Sequence, residues 1–261
     1  MPTASDPWSG DEPPHVPWRT DHGPLPQVCL TPGDPDRVAL YGQVMDDFTI
    51  LGQRREYVLA RGSVAGVPIA VCSTGIGGPS TEIALVELAR LGVRTVIRTG
   101  GMGSITADVP SGEIVVVDRA HTFASGTARA YEAAPLVHAT PKVVTALRQS
   151  LAEQGEGTAA PASVVSADSY YVGEGRAVPG LEAVAERRYA EILETDAVGI
   201  DMEAATILAV GPAVGLDVGG ILVAHGNRVD DSWVVHYESR QLAMMAAACR
   251  AAAALVERTD R

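Results

Sequence analysis

Arg98 closes an apolar run, Thr95-Val-Ile-Arg98, and is followed by Thr99-Gly-Gly-Met-Gly103 ahead of Ser104. A guanidinium placed among small, flexible residues suits an anion, because its planar fork of donors matches phosphate or carboxylate; the competing reading is a buried ion pair with a carboxylate elsewhere in the chain. Thr31-Pro-Gly-Asp-Pro-Asp-Arg37 brings a second arginine four residues after a strand-end glycine. Backbone N–H groups and a guanidinium can converge there on one anion, although Gly-Asp-Pro is also an ordinary turn. Thr74-Gly-Ile-Gly-Gly78, just before Ser80, can cradle an anion or simply allow close strand-to-helix packing; it has neither the glycine spacing of a dinucleotide fingerprint nor the lysine of a phosphate loop. Asp201-Met-Glu203 opens a helical stretch after the apolar Ala197-Val-Gly-Ile200. Either acid is a helix cap or an acceptor for two adjacent sugar hydroxyls.

These clusters need elements to hold them. Val28 to Leu30, Pro68 to Ser73, Thr95 to Arg98, Glu113 to Val117, Ala162 to Val165 and Gly220 to Ala224 read as short apolar strands, the last followed by a loop His225-Gly226-Asn227. Ser80 to Leu91, Glu203 to Val214 and Glu238 to Val256 read as helices, the last two rich in alanine. Strands alternating with helices predict an α/β, single-domain, three-layer α/β/α fold around a mixed, largely parallel central sheet. Open sheets of that kind bind ligands beyond the carboxyl ends of their strands, where the clusters above lie. Residues 1–27 carry seven of the 17 prolines and read as an irregular arm, its first dozen residues expected to be disordered; residues 28–261 form the domain, with Pro135, Pro141 and the run 153–161 as surface connections.

The 261-residue chain can bury a sizeable core. Its formal charge of −12 argues against a nucleic-acid partner, and leaves an anionic small substrate dependent on locally clustered arginines. Cys29, Cys72 and Cys249 lack disulfide or zinc spacing, and Met244 to Val256 is too short and too interrupted, by Arg250, to cross a membrane. Without a signal-peptide pattern at the N-terminus, a cytoplasmic protein is expected.

The blocks Thr31 to Arg37, Val71-Cys-Ser-Thr-Gly-Ile-Gly-Gly-Pro-Ser-Thr81, Leu91-Gly-Val-Arg-Thr-Val-Ile-Arg98 and Asp201-Met-Glu203 stand in the order, and near the spacing, found in bacterial uridine phosphorylases. The chain resembles that family from about His15 to its C-terminal helix. The resemblance implies a phosphorylase-like fold and phosphate-dependent cleavage of a nucleoside, with inorganic phosphate as co-substrate and no organic cofactor. It assigns Gly33, Arg37, Arg98 and the Gly101 backbone to phosphate, with Arg55 lent by a neighbouring subunit. His15, likewise from the neighbour, falls where the family contacts the 5′-hydroxyl of ribose, while Met202 and Glu203 match its ribose-holding residues. Tyr170, Glu174, Arg176, Asp201, His225 and Arg228 surround the base position, and Arg98, Arg176 and Glu203 are the catalytic candidates. Glu56, Ile76 and Ser80 match a monovalent-cation site between subunits. A homodimeric active unit, within a hexamer as in the family, follows from the shared residues.

Several positions depart from the family. Gly101 and Met102 replace residues that usually offer a hydroxyl to phosphate; Glu174 replaces a base-reading glutamine, and ionised glutamate only accepts. Tyr170 stands for phenylalanine and Asp201 for glutamate, while His225 and Gly226 stand for two aliphatic residues before Asn227-Arg228. Asp230 and Asp231 form a solvated turn or tune Arg228 from behind. Three readings therefore stand: a nucleoside phosphorylase acting on a pyrimidine nucleoside, modified bases included; a phosphate-independent nucleosidase; and a catalytically silent nucleoside-binding homologue.

Overall fold

The computed structural model describes residues 2–8, 10–156 and 161–259. Part of the proline-marked connection at 153–161, and the last two residues of the domain, lie outside the described residues. The strands are β1 (Val28–Thr31), β2 (Asp46–Arg54), β3 (Tyr57–Val64), β4 (Val67–Cys72), β5 (Thr95–Ser104), β6 (Ile114–His121), β7 (Leu136–His138), β8 (Pro161–Ser166), β9 (Gly199–Asp201), β10 (Asp217–Asn227) and β11 (Ser232–Trp233). The helices are α1 (Gly78–Arg90), α2 (Gly126–Ala130), α3 (Pro141–Gln154), α4 (Glu182–Leu193), α5 (Ala204–Ala213) and α6 (Tyr237–Thr259), with two 3-10 segments at Thr20–His22 and Pro35–Gln43.

Successive strand residues face opposite ways, and the two faces bury different helices. Val96, Val115, Val117, Val218 and Leu222 pack in one cluster with Leu85 and Leu88 of α1 and Ile207 and Leu208 of α5. Their neighbours Ile97, Ile114, Val116, Ile221 and Val223 pack on the opposite side with Val143 and Leu147 of α3 and Met244 and Ala248 of α6. The chain is thus an α/β protein with a mixed sheet between helical layers.

The mixed central sheet is as expected, and its pairing adds two details. The centre of the sheet, β4-β1-β5-β10, is parallel, but β2 and β3 extend it by antiparallel pairing, and β6, β7, β9 and β11 also pair antiparallel with neighbours, so the sheet as a whole is evenly mixed. Nor is it open: β10 pairs with both β5 and β6, while β9 pairs with both β5 and β8, so that β5, β10, β6, β8 and β9 close a ring. Closure follows from the length of β5 and β10. The glycine-rich segment after Arg98 and the segment His225 to Asn227, expected as loops, continue these strands, and their pairing runs from Thr95↔Asp217 to Ser104↔Asn227. Pairing with β10 along the whole segment, joined by β9 at Gly103 and Ser104, overrides the weak strand preference of glycine. The register slips once, between Ala224 and Gly226, leaving His225 as the extra residue of a β-bulge.

The N-terminal arm lies against the body. Val16 is fully buried and Trp8 nearly so, under the Arg90 guanidinium at 4.1 Å. Arg54 of β2 donates to the carbonyls of Pro13 and Pro14, and Glu87, buried on α1, accepts from the backbone N–H groups of His15 and Val16.

Candidate active site

Arg98 has the strand parity of Val96, so it points to the face covered by α1 and α5, where both helices begin. Its Nε donates to Asp201 Oδ2 at 2.9 Å and its Nη2 lies 2.6 Å from Glu203 Oε2. Both readings of this arginine therefore hold together: it has buried carboxylate partners, and three of its five N–H donors are not used by them. The guanidinium folds over Gly100, where a Cβ would stand 2.8 Å from Cζ; glycine is required by that approach.

The two acids differ in role. Asp201 Oδ2 also accepts from the N–H groups of Glu203 and Ala204, and its Oδ1 accepts from Ser166 Oγ at 2.5 Å, so it caps α5 and braces Arg98. Its carboxylate is fully buried and bonded inward, although Asp201 lines the cavity. Glu203 does not cap α5 with its side chain. It reaches across to Gly77, whose N–H donates to Oε1 at 2.6 Å, so the start of α1 and Arg98 hold it at the cavity floor. Burial and the neighbouring Asp201 raise the Glu203 pKa above the usual carboxylate range, outweighing Arg98 and the Gly77 N–H. Burial alone would lower the Arg98 pKa; Glu203 and Asp201 more than offset it and keep the group cationic.

Above this floor is a cavity of about 940 Å³. Gly33, Arg37, Arg98, Gly101 and Met102 line one part, Met202 and Glu203 another, and Tyr170, Glu174 and Arg176 a third. Arg37 is carried in by the 3-10 turn that Asp34 caps; its Nε is 3.6 Å from Asp34 Oδ2. The cavity wall thus includes three guanidiniums, from Arg37, Arg98 and Arg176, the buried carboxylates of Glu174, Asp201 and Glu203, and the Tyr170 ring.

A model of the Phosphorylase superfamily matches residues 27–259. The chain belongs to the Phosphorylase superfamily. It is 33% identical over 220 residues to the uridine phosphorylase of Thermococcus kodakarensis, covering 81% of this chain and 76% of that one. It is 34% identical over 214 residues to the guanosine phosphorylase of Halorubrum lacusprofundi (80% and 82% covered), and 35% identical over 205 residues to the uridine phosphorylase of Escherichia coli (75% and 79%).

Among the residues expected at the base, Glu174 and Arg176 form an ion pair, and Arg176 also donates to the Tyr170 carbonyl at 2.5 Å with its guanidinium 3.9 Å from the Tyr170 ring centroid. Burial raises the Glu174 pKa despite Arg176 beside it. Arg228 does not line the cavity. It donates to the carbonyls of Glu174 and Gly175 and lies 4.2 Å above the Tyr189 ring, so it fixes the base-side loop from behind. Asp230 accepts from Ser232 N in an exposed turn, which favours the solvated-turn reading.

His225 lines the cavity against Gly101, near enough to Arg37 and Arg98 to feel their charges. Trp233 and Tyr237, which the sequence reading did not select, sandwich its ring. His15 and Arg55 are absent from this chain's cavity wall. His15 Nδ1 is 2.7 Å from Glu87 Oε1, and Arg55 sits exposed at the β2–β3 turn with φ 54°. Glu56 and Ser80 flank Gly75, each within 3.1 Å of where its Cβ would be, and Ser80 Oγ donates to the Ile76 carbonyl, so the three residues of the expected cation site share one edge of the cavity. Among the described residues no three His, Cys, Asp or Glu side chains cluster as metal ligands, and no helix is long and apolar enough to cross a membrane.

Proposed function

We propose that the chain is a nucleoside phosphorylase, a pentosyltransferase that moves the ribosyl group of a nucleoside from base to inorganic phosphate. What supports this is that Arg37, Arg98, Arg176 and Glu203 line one cavity, with Arg98 2.6 Å from Glu203. Cleavage of the glycosidic bond builds positive charge at C1′ and negative charge on the base. Phosphate held by Arg37, Arg98 and the N–H groups near Gly33 and Gly101 stabilises the cationic sugar and then bonds to C1′. The C1′–N bond breaks with its electron pair on the base, where Arg176 stabilises the anion. Glu203 accepts from the ribose hydroxyls alongside Met202, with the Tyr170 ring against sugar and base. The products are ribose 1-phosphate and free base.

For the base we favour a pyrimidine, including modified ones, since Arg176 is retained to meet a ring carbonyl. A second reading, a guanine-like base with adjacent N–H donors, is favoured by the Glu174 carboxylate in the cavity. Glu56, Ile76 and Ser80 supply a carboxylate, a carbonyl and a hydroxyl, the donor set of a hard cation, and fit a monovalent ion completed by the same residues of a second copy. Such an ion would brace the edge of the cavity. The arm and the β2–β3 hairpin, tied by Arg54, present His15 and Arg55 together, and we assign them to a neighbour's site in a homodimeric unit of a hexamer, located in the cytoplasm.

The test is a panel of pyrimidine and purine nucleosides assayed with and without phosphate, with free base and ribose 1-phosphate both quantified. Phosphate-dependent release of both is expected. Turnover that ignores phosphate would establish hydrolysis instead.

A further inference from the structure

We propose that His225, braced by Tyr237 of α6, forms the side-chain part of the phosphate subsite, supplying from β10 the donor that residue 101 lacks. The inference rests on the phosphorylase reading and deepens it. At Gly101 a Cβ would fall on His225 Nε2, so the imidazole occupies the volume in which a side chain at 101 would stand. His225 stands at the register shift between Ala224 and Gly226, on the face of Val223 that α6 covers, next to Gly101 of β5.

The ring is held on both faces. Tyr237 stacks on it at 4.2 Å and 25°, and Trp233 at 6.0 Å and 27°. The Tyr237 hydroxyl is 3.0 Å from His225 Nε2, and the Arg37 guanidinium lies 5.5 Å from the Tyr237 ring centroid. A neutral imidazole and a phenol carry one N–H and one O–H between them. Their mutual hydrogen bond uses one. If Nε2 accepts from the phenol, Nδ1–H is left; if Nε2–H donates, the phenol proton is left. In the first tautomer the cavity-lining imidazole keeps an N–H for an anion, which is what a hydroxyl at 101 would have offered. Burial first, then Arg37 and Arg98, push the His225 pKa down to about 4, and burial raises that of Tyr237, so both groups are neutral donors near pH 7.

Initial rates on the intact enzyme, with phosphate varied at saturating nucleoside and the reverse, test this with His225→Ala, Tyr237→Phe and the double variant Gly101→Thr/His225→Ala. Loss of one donor to an anion should raise the phosphate KM about 10-fold in His225→Ala and less in Tyr237→Phe, with the nucleoside KM within about twofold. The double variant should recover most of the phosphate KM, because removal of the imidazole opens the space that threonine needs. A raised nucleoside KM with an unmoved phosphate KM would overturn the proposal and return His225 to the base. If His225→Ala does not fold, inorganic phosphate titrated calorimetrically into wild type and Tyr237→Phe decides it, equal affinities counting against. A wild type indifferent to phosphate removes both readings; a phosphate-dependent wild type with unmoved variants removes only this one.

Discussion

Arg98→Met would remove the one guanidinium that meets both Asp201 and Glu203 while keeping a side chain of similar length. Two carboxylates, both buried at the start of α5, would then face each other without it. Breaking a buried pair in this way costs about 3–5 kcal/mol, a large share of a domain's stability of about 5–15 kcal/mol, so the variant should fold at neutral pH but with a much lower urea midpoint. The pH dependence is the sharper signature. Burial and Asp201 already raise the Glu203 pKa, and Arg98 opposes them, so its removal raises that pKa further. Folded Glu203 then binds a proton at a pH where the unfolded chain does not. Relative to wild type, the variant should therefore regain stability as pH falls from 7 toward 5. Urea unfolding of both proteins at pH 7 and pH 5, followed by tryptophan fluorescence, measures this. Phosphorolysis should fall by about 10²–10³ through loss of a preorganised donor. A deficit below about 1 kcal/mol with the same pH profile as wild type would refute the claim that the arginine neutralises this pair.

For Glu203→Gln, loss of a charged acceptor should lower kcat/KM for nucleoside about 10- to 100-fold, with the phosphate KM less affected, in steady-state assays. Arg228→Ala frees the carbonyls of Glu174 and Gly175 and should raise the nucleoside KM several-fold while leaving the phosphate KM in place. In His225 the folded pKa of about 4 lies below the ordinary 6.5, so the unfolded chain takes up that proton first and stability is lost as pH falls between those values; the contribution is at most about 3 kcal/mol, and the loss should be shallower in His225→Gln by urea titration. Mixing Arg55→Ala with Arg98→Met chains should restore activity that neither has alone, since a shared interface regenerates one intact site; lack of recovery after verified subunit exchange would count against the trans assignment.

Much of the frame was legible in the sequence because it rests on local signals. Val28 to Thr31, Val67 to Cys72 and the two alanine-rich helices carry apolar patterns that no tertiary contact overrides. The β2–β3 hairpin was not read, since β2 is largely exposed along its length and shows no apolar alternation. The glycines after Arg98 suggested a loop; their strand conformation comes from β10, more than a hundred residues away, and is invisible locally. The same distance hid the partners of Arg98, although the residue itself was marked by its charge at the end of an apolar run. His225 and Arg228 were placed on the base by position alone. Two backbone carbonyls turn Arg228 away from the cavity, and the contact of His225 with Gly101 depends on the pairing of β10 with β5; neither leaves a trace in residue type.

The overlap of His225 with the missing side chain at position 101 also constrains how this chain can change over time. The two sites cannot drift independently. A threonine arriving at 101 meets an occupied volume and is rejected, whereas an exit of the imidazole first leaves a void beside Arg37 until 101 is filled. A single-site mutational survey would record position 101 as closed, and only a paired library would open it.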